Sequence, residues 1–332
     1  MHNDHPFATW GLCGHERVLE LLERAYVRGK LAHAIILSGP AHIGKYTVAV
    51  QLARALVCTN EKNPARPCEQ CAMCVSSKNN VHPDITHVSR QDDKKEITVD
   101  QVRALRSSLE HTSLFEGYRV AIIEDADALT DEGANALLKI LEEPRGKTVF
   151  LLITTNTHRM LRTIQSRCVT IALSPEEQHV IQSFLVKRGV DRSHAEMIAA
   201  LARGKIGTAL DLAHDEEKLL AVKETHEQML ALLEDASWTA RRKRIETVAD
   251  QWVQANAVAM MSTMLHTILR LSISAVEDKT THTDHRFIAI ARRGRSEQWS
   301  QSISFLNTVA YTIQTTNVQP LFAYEQFLLS LP

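Results

Sequence analysis

The sequence predicts an α/β domain built on a parallel sheet and carrying a metal knuckle. A small helical domain and a longer all-helical domain follow. Three observations lead there. Short apolar runs alternate with amphipathic helical segments as far as about Ser174. Four cysteines, Cys58, Cys68, Cys71 and Cys74, fall in one stretch. From Ser174-Pro175-Glu176-Glu177 onward the strand periodicity stops.

Leu31 to Leu37 is an apolar run that ends in Ser38-Gly39-Pro40, a buried strand entering a turn. Gly39-Pro40-Ala41-His42-Ile43-Gly44-Lys45 then has the glycine and lysine spacing of a phosphate loop. Thr47 to Val57 continues as a helix with Val48, Leu52, Ala55 and Leu56 on one side. Strand, glycine loop and helix is the context such a loop needs, because backbone N–H groups at a helix N-terminus cradle an anion. Thr98 and Gln101 form a capping box that opens a helix through Leu105 and Leu109. Val120 to Ile123 is a second buried strand, closed by Glu124-Asp125. Thr130 caps a third helix with Ala134, Leu137, Leu138 and Leu141 on one face, and Pro144 stops it. Val149 to Thr154 is a further strand.

Ser174 as cap, Pro175 at the first position and Glu177 completing the box predict a helix start. Val180 to Leu212 holds two or three short helices separated by Gly189 and Gly204, and longer amphipathic helices run from about Glu216 to Pro332. The domains are expected at 1–174, 175–215 and 216–332, with the cysteine module at 58–74.

A chain of 332 residues suits two or three domains. With 44% hydrophobic and 23% charged residues it has the composition of a globular protein. A net charge of −1 argues against tight autonomous binding of nucleic acid through a broad basic surface. It leaves a local strip at Arg159, Arg162 and Arg167, where no aromatic residues interleave for base stacking. Met1 to Pro6 lacks a basic region followed by an apolar run, and the apolar stretch Ala257 to Val276 is broken by His266 and Arg270. These features lead to the expectation of a cytoplasmic protein without a membrane partner. In that compartment thiols stay reduced, and grouped cysteines favour a metal over a disulfide.

Cys68-x-x-Cys71-x-x-Cys74 brings three thiolates together in a tight knuckle, and Cys58 supplies a fourth corner. A closed set of four thiolates suits structural Zn2+, with an iron–sulfur cluster as the rival and free thiols as the plain alternative. Cys13 and Cys168 lie far away in sequence. In the phosphate loop Gly39, Gly44 and Lys45 stand where an anion needs them. The hydroxyl that would ligate Mg2+ falls at Tyr46, Thr47 comes one residue late, and His42 replaces a small residue. A loop that holds nucleotide and a loop that persists empty are both open readings. A hydrolytic site wants an aspartate on the metal followed by a glutamate that activates water. Here Glu124 precedes Asp125, the reverse order.

Asp125-Ala126-Asp127, Asn135-Ala136-Leu137-Leu138-Lys139, Leu141-Glu142-Glu143-Pro144 and Ser166-Arg167-Cys168 together resemble bacterial clamp-loader ATPase subunits of the AAA+ class. The cysteine set fits the same proteins, and the similarity covers about Gly14 to Leu212. His82-Pro83-Asp84 resembles the delta prime branch of the DNA polymerase III family more than its tau/gamma motor branch, and Asn317 to Leu331 resembles the last helix of the family's collar. The resemblance implies a RecA-like AAA+ sheet domain, a helical lid and an all-α collar. It implies that Arg167 is an arginine finger offered in trans to ATP on a neighbouring subunit. Thr154 or Thr155 matches a polar sensor at a strand end, while the position of the lid's sensor arginine is Gly207. Tyr46, the reversed acids and Gly207 point to ATP and Mg2+ being turned over by the neighbour rather than by this chain. The implied partners are the tau/gamma and delta subunits in a hetero-oligomeric ring and, through it, the sliding clamp and primer-template DNA. The implied role is a non-catalytic part in clamp loading within the polymerase III holoenzyme. Two other readings compete: an active AAA+ ATPase motor, and a zinc-bearing adaptor with a dead nucleotide fold.

Overall fold

The computed structural model describes residues 10–60, 65–79, 81–91, 94–110, 117–254, 257–273, 285–315 and 318–332. Met1 to Pro6, Val276 and Asn317, on which some expectations rest, lie outside that set. The chain divides into two compact units, Met1–His214 and Asp215–Pro332.

The first unit opens with α1 (Glu16–Val27), β1 (Ala34–Ser38), α2 (Lys45–Val57), α3 (Ala72–Lys78) and β2 (Ile85–Val88). It continues with α4 (Val99–Glu110), β3 (Arg119–Ile123), α5 (Asp131–Glu142), β4 (Thr148–Thr154), α6 (Arg162–Gln165) and β5 (Val169–Ala172). It closes with α7 (Gln178–Lys187), α8 (Arg192–Ala202) and α9 (Ile206–His214). The five strands form one sheet in the order β2-β3-β4-β1-β5, and every pairing is parallel. The expected parallel sheet is therefore present.

Side chains alternate across the pleat, as a period of two demands. Ile35, Leu37, Ile122 and Leu151 pack on one face with Val48 and Leu52 of α2, while Ile36, Ile123, Phe150 and Leu152 pack on the other with Leu105 of α4 and Leu137 of α5. Both faces are covered, so the inner strands read as continuous apolar runs. The edge strands do not: β2 buries only Val88, and β5 only Ile171. Neither was legible as a strand for that reason.

Two helix starts follow their sequence signals. The Thr98 N–H donates to Gln101 Oε1 at 3.0 Å, and Thr130 Oγ1 accepts from the Gly133 N–H at 3.1 Å. The third start needs correction. Helix α7 begins at Gln178 rather than at Pro175, and Glu177 makes no side-chain cap bond. The preceding residues are used elsewhere: the Glu176 N–H donates to the Gly204 carbonyl at 2.9 Å, and the Glu176 carboxylate is drawn to His15. Gly204 has φ +80°, and an added Cβ would lie 2.5 Å from Pro175 Cβ. Only glycine fits this close approach without strain.

The elements described in the second unit are all helices: α10 (Glu216–Glu234), α11 (Trp238–Gln254), α12 (Ala257–Ile273), α13 (His285–Ala291), α14 (Ser296–Thr315) and α15 (Pro320–Leu329). Its core gathers Leu230, Leu233, Leu265, Ile268 and Leu306 around an edge-to-face pair, Trp252 and Tyr324, with centroids 5.8 Å apart. Buried Arg241 donates to the carbonyls of Asp235 and Leu331, which ties the α10–α11 connection to the residues after α15. No described helix is long and apolar enough to cross a membrane.

Candidate functional site

Parallel strands place their C-terminal ends side by side, and the loops leaving those ends share one rim. In register, Ser38 of β1 stands beside Thr154 of β4 and Ala172 of β5. The phosphate-loop-like run, the acids Glu124 and Asp125, and the pair Thr154 and Thr155 therefore all arise at the same edge of the sheet.

The loop itself is tightly made. Gly39 has φ +143°, and an added Cβ would lie 2.4 Å from the Leu173 carbonyl oxygen; Gly44, φ +99°, precedes α2. Lys45 is only 6% exposed. Its Nζ donates to the Gly39 carbonyl at 2.8 Å and to the Pro40 carbonyl at 2.6 Å. Burial pushes its pKa down, and the charges of Asp125 and Asp127 oppose that. The ammonium is thus held by carbonyls of its own loop.

Two further carbonyls of the loop are engaged from outside. The Gly207 N–H donates to the His42 carbonyl at 2.7 Å, so a side chain at Gly207 would press on His42. The ring of buried His15 reaches the Ile43 carbonyl through Nε2 at 2.8 Å and Glu176 Oε1 through Nδ1 at 3.0 Å. This clasp links the loop, the start of α1 and the segment before α7. Sequence reasoning missed it, since no spacing rule joins residues 161 positions apart.

Tyr46 and Thr47 are both exposed on the first turn of α2. The Tyr46 ring lies 6.1 Å from the His87 ring. Burial and then Glu124 raise its phenol pKa. Asp125, at φ +48°, pairs with Arg90 at 2.6 Å. Asp127 Oδ1 accepts from the Thr154 hydroxyl at 2.7 Å, while Thr155, one residue later, is exposed. The structure thus brings Glu124, Asp125 and Thr155 to the loop's rim, with Asp125 already occupied by a guanidinium.

Arg167 follows α6, and its side chain is 36% exposed. Nη2 stands 2.5 Å from Glu142 Oε1, and Nη1 donates to the Thr163 carbonyl at 3.0 Å. Arg159 and Arg162 are exposed on the same connection.

The four cysteines converge below the far end of α2. Their sulfurs all lie within 4.8 Å of one another, so the set can hold a metal ion. Cys58 ends α2, Cys71 caps α3, and Cys74 lies within α3. The Cys71 N–H points at Cys68 Sγ and the Cys74 N–H at Cys71 Sγ, both at 3.4 Å, which suits thiolates. Glu69, at φ +61°, turns the knuckle and receives two bonds of 2.8 Å from Arg54 of α2. Cys13 and Cys168 take no part, and burial pushes each thiol up to about 11.

This arrangement can be set beside known proteins. Residues 14–177 match the family model described as DNA polymerase III, delta subunit. The similarity to that family lies in this segment. It is 33% identical over 201 residues to the DNA polymerase III subunit delta' of Bacillus subtilis, covering 60% of this chain and 60% of that protein. The subunit delta' of Pseudomonas aeruginosa is 42% identical over 142 residues, 43% of each chain. The subunit tau of Bacillus subtilis is 32% identical over 206 residues, covering 60% of this chain and 36% of that one. The matches thus span 60% or less of these relatives.

Burial, and after it Asp125, pushes the Glu124 carboxyl above its ordinary value. Above its folded pKa, ionised Glu124 is penalised in the folded chain, and its contribution to stability rises as pH falls through that value. Glu124→Gln should therefore raise the thermal unfolding midpoint near pH 8, with the advantage shrinking towards about pH 4, where carboxylates protonate. A lowered midpoint at pH 8 would contradict this.

Proposed function

We propose that the chain acts as a delta prime-type subunit of a bacterial DNA polymerase III clamp loader, helping to place the sliding clamp on primed DNA. In this reading it sits in a ring with tau/gamma and delta subunits and reaches clamp and primer-template DNA through that ring. Residues 1–174 serve as the AAA+ body, 175–215 as the lid and 216–332 as the collar. The observation that carries the reading is a contrast. The chain's own phosphate loop is closed on Lys45, whereas Arg167 is exposed and preset by its neighbours. A guanidinium that is always charged and grips phosphate oxygens with two N–H groups suits a triphosphate on an adjacent subunit.

Turnover by this chain is disfavoured on three counts. Tyr46 stands where a metal-ligating hydroxyl is needed. Asp125 is engaged by Arg90. Gly207 donates to the loop through its backbone and has no side chain to offer phosphate. ATP and Mg2+ belong to the neighbour.

The cysteine set suits Zn2+ held by Cys58, Cys68, Cys71 and Cys74. Four thiolates at about 2.3 Å from zinc stand about 3.8 Å apart at the corners of a tetrahedron. Cys68 Sγ and Cys74 Sγ are 3.8 Å apart. An iron–sulfur cluster places several atoms between its cysteines and needs a wider cage. The metal supplies a cross-link between the end of α2 and α3.

Two outcomes are expected. Purified protein should carry one zinc per chain and no visible colour, and Cys74→Ser should lose the metal and about 2–3 kcal/mol, roughly 5–10 °C in Tm; a brown, iron-bearing protein would contradict this. In a complex reconstituted with tau/gamma and delta subunits, Arg167→Ala should slow hydrolysis at the adjoining site by on the order of 10³. An unchanged clamp-dependent ATPase rate would rule the reading out.

A further inference from the structure

We propose that Glu142 is the positioning residue for the Arg167 guanidinium, an inference that rests on Arg167 acting in trans as above. Glu142 is the last residue of α5. A carboxylate is disfavoured there by the negative end of the helix dipole unless a cation offsets it. Arg167 Nη2 does so at 2.5 Å, while Nη1 is fixed by the Thr163 carbonyl at 3.0 Å and stands 3.4 Å from Ser166 Oγ. Anchors on two different nitrogens set the plane of the group. A guanidinium has five N–H donors, so further ones stay available to phosphate oxygens. The two side chains are 36% and 47% exposed, and a pair so open adds little to stability. Its consequence is orientation: without Glu142 the charge remains while its direction is lost.

Four chains separate these effects in the reconstituted complex: E142A, E142Q, R167A and the double variant E142A/R167A. The expected result for E142A is a kcat about tenfold lower at unchanged KM for ATP. E142Q should fall between E142A and wild type, because an amide oxygen still accepts a bond, and E142A should cost nothing further once Arg167 is alanine. Wild-type kcat in both E142A and E142Q overturns the proposal, as does a full E142A loss in the R167A background. A defect in R167A without one in E142A removes this inference alone. An R167A chain that behaves as wild type removes it together with the reading beneath it.

A second observation stands independently of any assembly. The geometry points to a single buried water that bridges Arg54 and His82 beside the cysteine knuckle. Arg54 is 7% exposed and His82 5%, and Arg54 Nε and His82 Nε2 have no hydrogen-bond partner among the described residues. Both residues line one small cavity of about 10 Å³, with Ser77 and Ile85. The His82 Nδ1 atom accepts from the Asp84 N–H at 3.1 Å and therefore carries no proton. Nε2 is then the N–H of a neutral ring, and burial pushes the His82 pKa down, which keeps it neutral. Two buried donors converge on a space that takes one water. A water oxygen accepts from both, and Ser77 Oγ, which donates to the Cys74 carbonyl at 3.0 Å, keeps lone pairs to receive its proton. The bridge gives His82-Pro83-Asp84 a role, tying the start of β2 to α2.

A crystal structure of the zinc-bound protein at better than about 2 Å tests it, with H82L as a companion. Expected is a spherical density within about 3.2 Å of both Arg54 Nε and His82 Nε2, weakened or lost in H82L. An empty cavity, or a ring rotated so that Nε2 meets a protein acceptor, overturns the assignment, as does a density unchanged in H82L.

Discussion

A buried ammonium needs acceptors, and the phosphate-loop-like run supplies them from its own backbone. Lys45 donates to the carbonyls of Gly39 and Pro40, the residues that open the loop. A triphosphate entering this loop would have to draw the lysine away from two good acceptors inside a shielded site, where such bonds are stronger than in water. The carbonyls of His42 and Ile43 are taken by Gly207 and His15. One closed loop thereby joins the sheet, the start of α1 and the helices from α7 to α9. The same contacts that quiet the loop make it a structural joint, and a stiff body of this kind is what the proposed role requires.

The opposite end of α2 is secured as well. Cys58 follows its last residue, and Arg54 in its last turn grips Glu69 in the knuckle. Glu69 is half exposed, so the ion pair alone contributes little. A metal bound by four thiolates is a far stronger tie, because its binding energy is also folding energy. Helix α2 thus runs between a self-satisfied loop and a knuckle suited to a metal.

Much of this was legible in the sequence, and the misses have physical causes. The inner strands announced themselves because both faces of the sheet are covered, and the helices at Thr98 and Thr130 began where their spacing indicated. β2 and β5 stayed hidden because an edge strand with one buried residue leaves no apolar run. The sequence Ser174-Pro175-Glu176-Glu177 carries every local sign of a helix start, yet α7 begins at Gln178. There a long-range demand outweighs propensity: Glu176 serves His15, and its backbone pairs with Gly204. At the candidate site, spacing alone gathered the cysteines. The partners of Arg167, Arg54 and Asp125 were out of reach, since Glu142, Glu69 and Arg90 meet them only after folding.

Steady-state ATP hydrolysis by the isolated, zinc-loaded chain in the presence of Mg2+ decides most directly whether its own loop is catalytically silent. The expected rate does not exceed background and is the same for Lys45→Ala. Robust turnover that Lys45→Ala abolishes would make the chain a motor, and would contradict a subunit that lends Arg167 to a neighbour without consuming ATP itself.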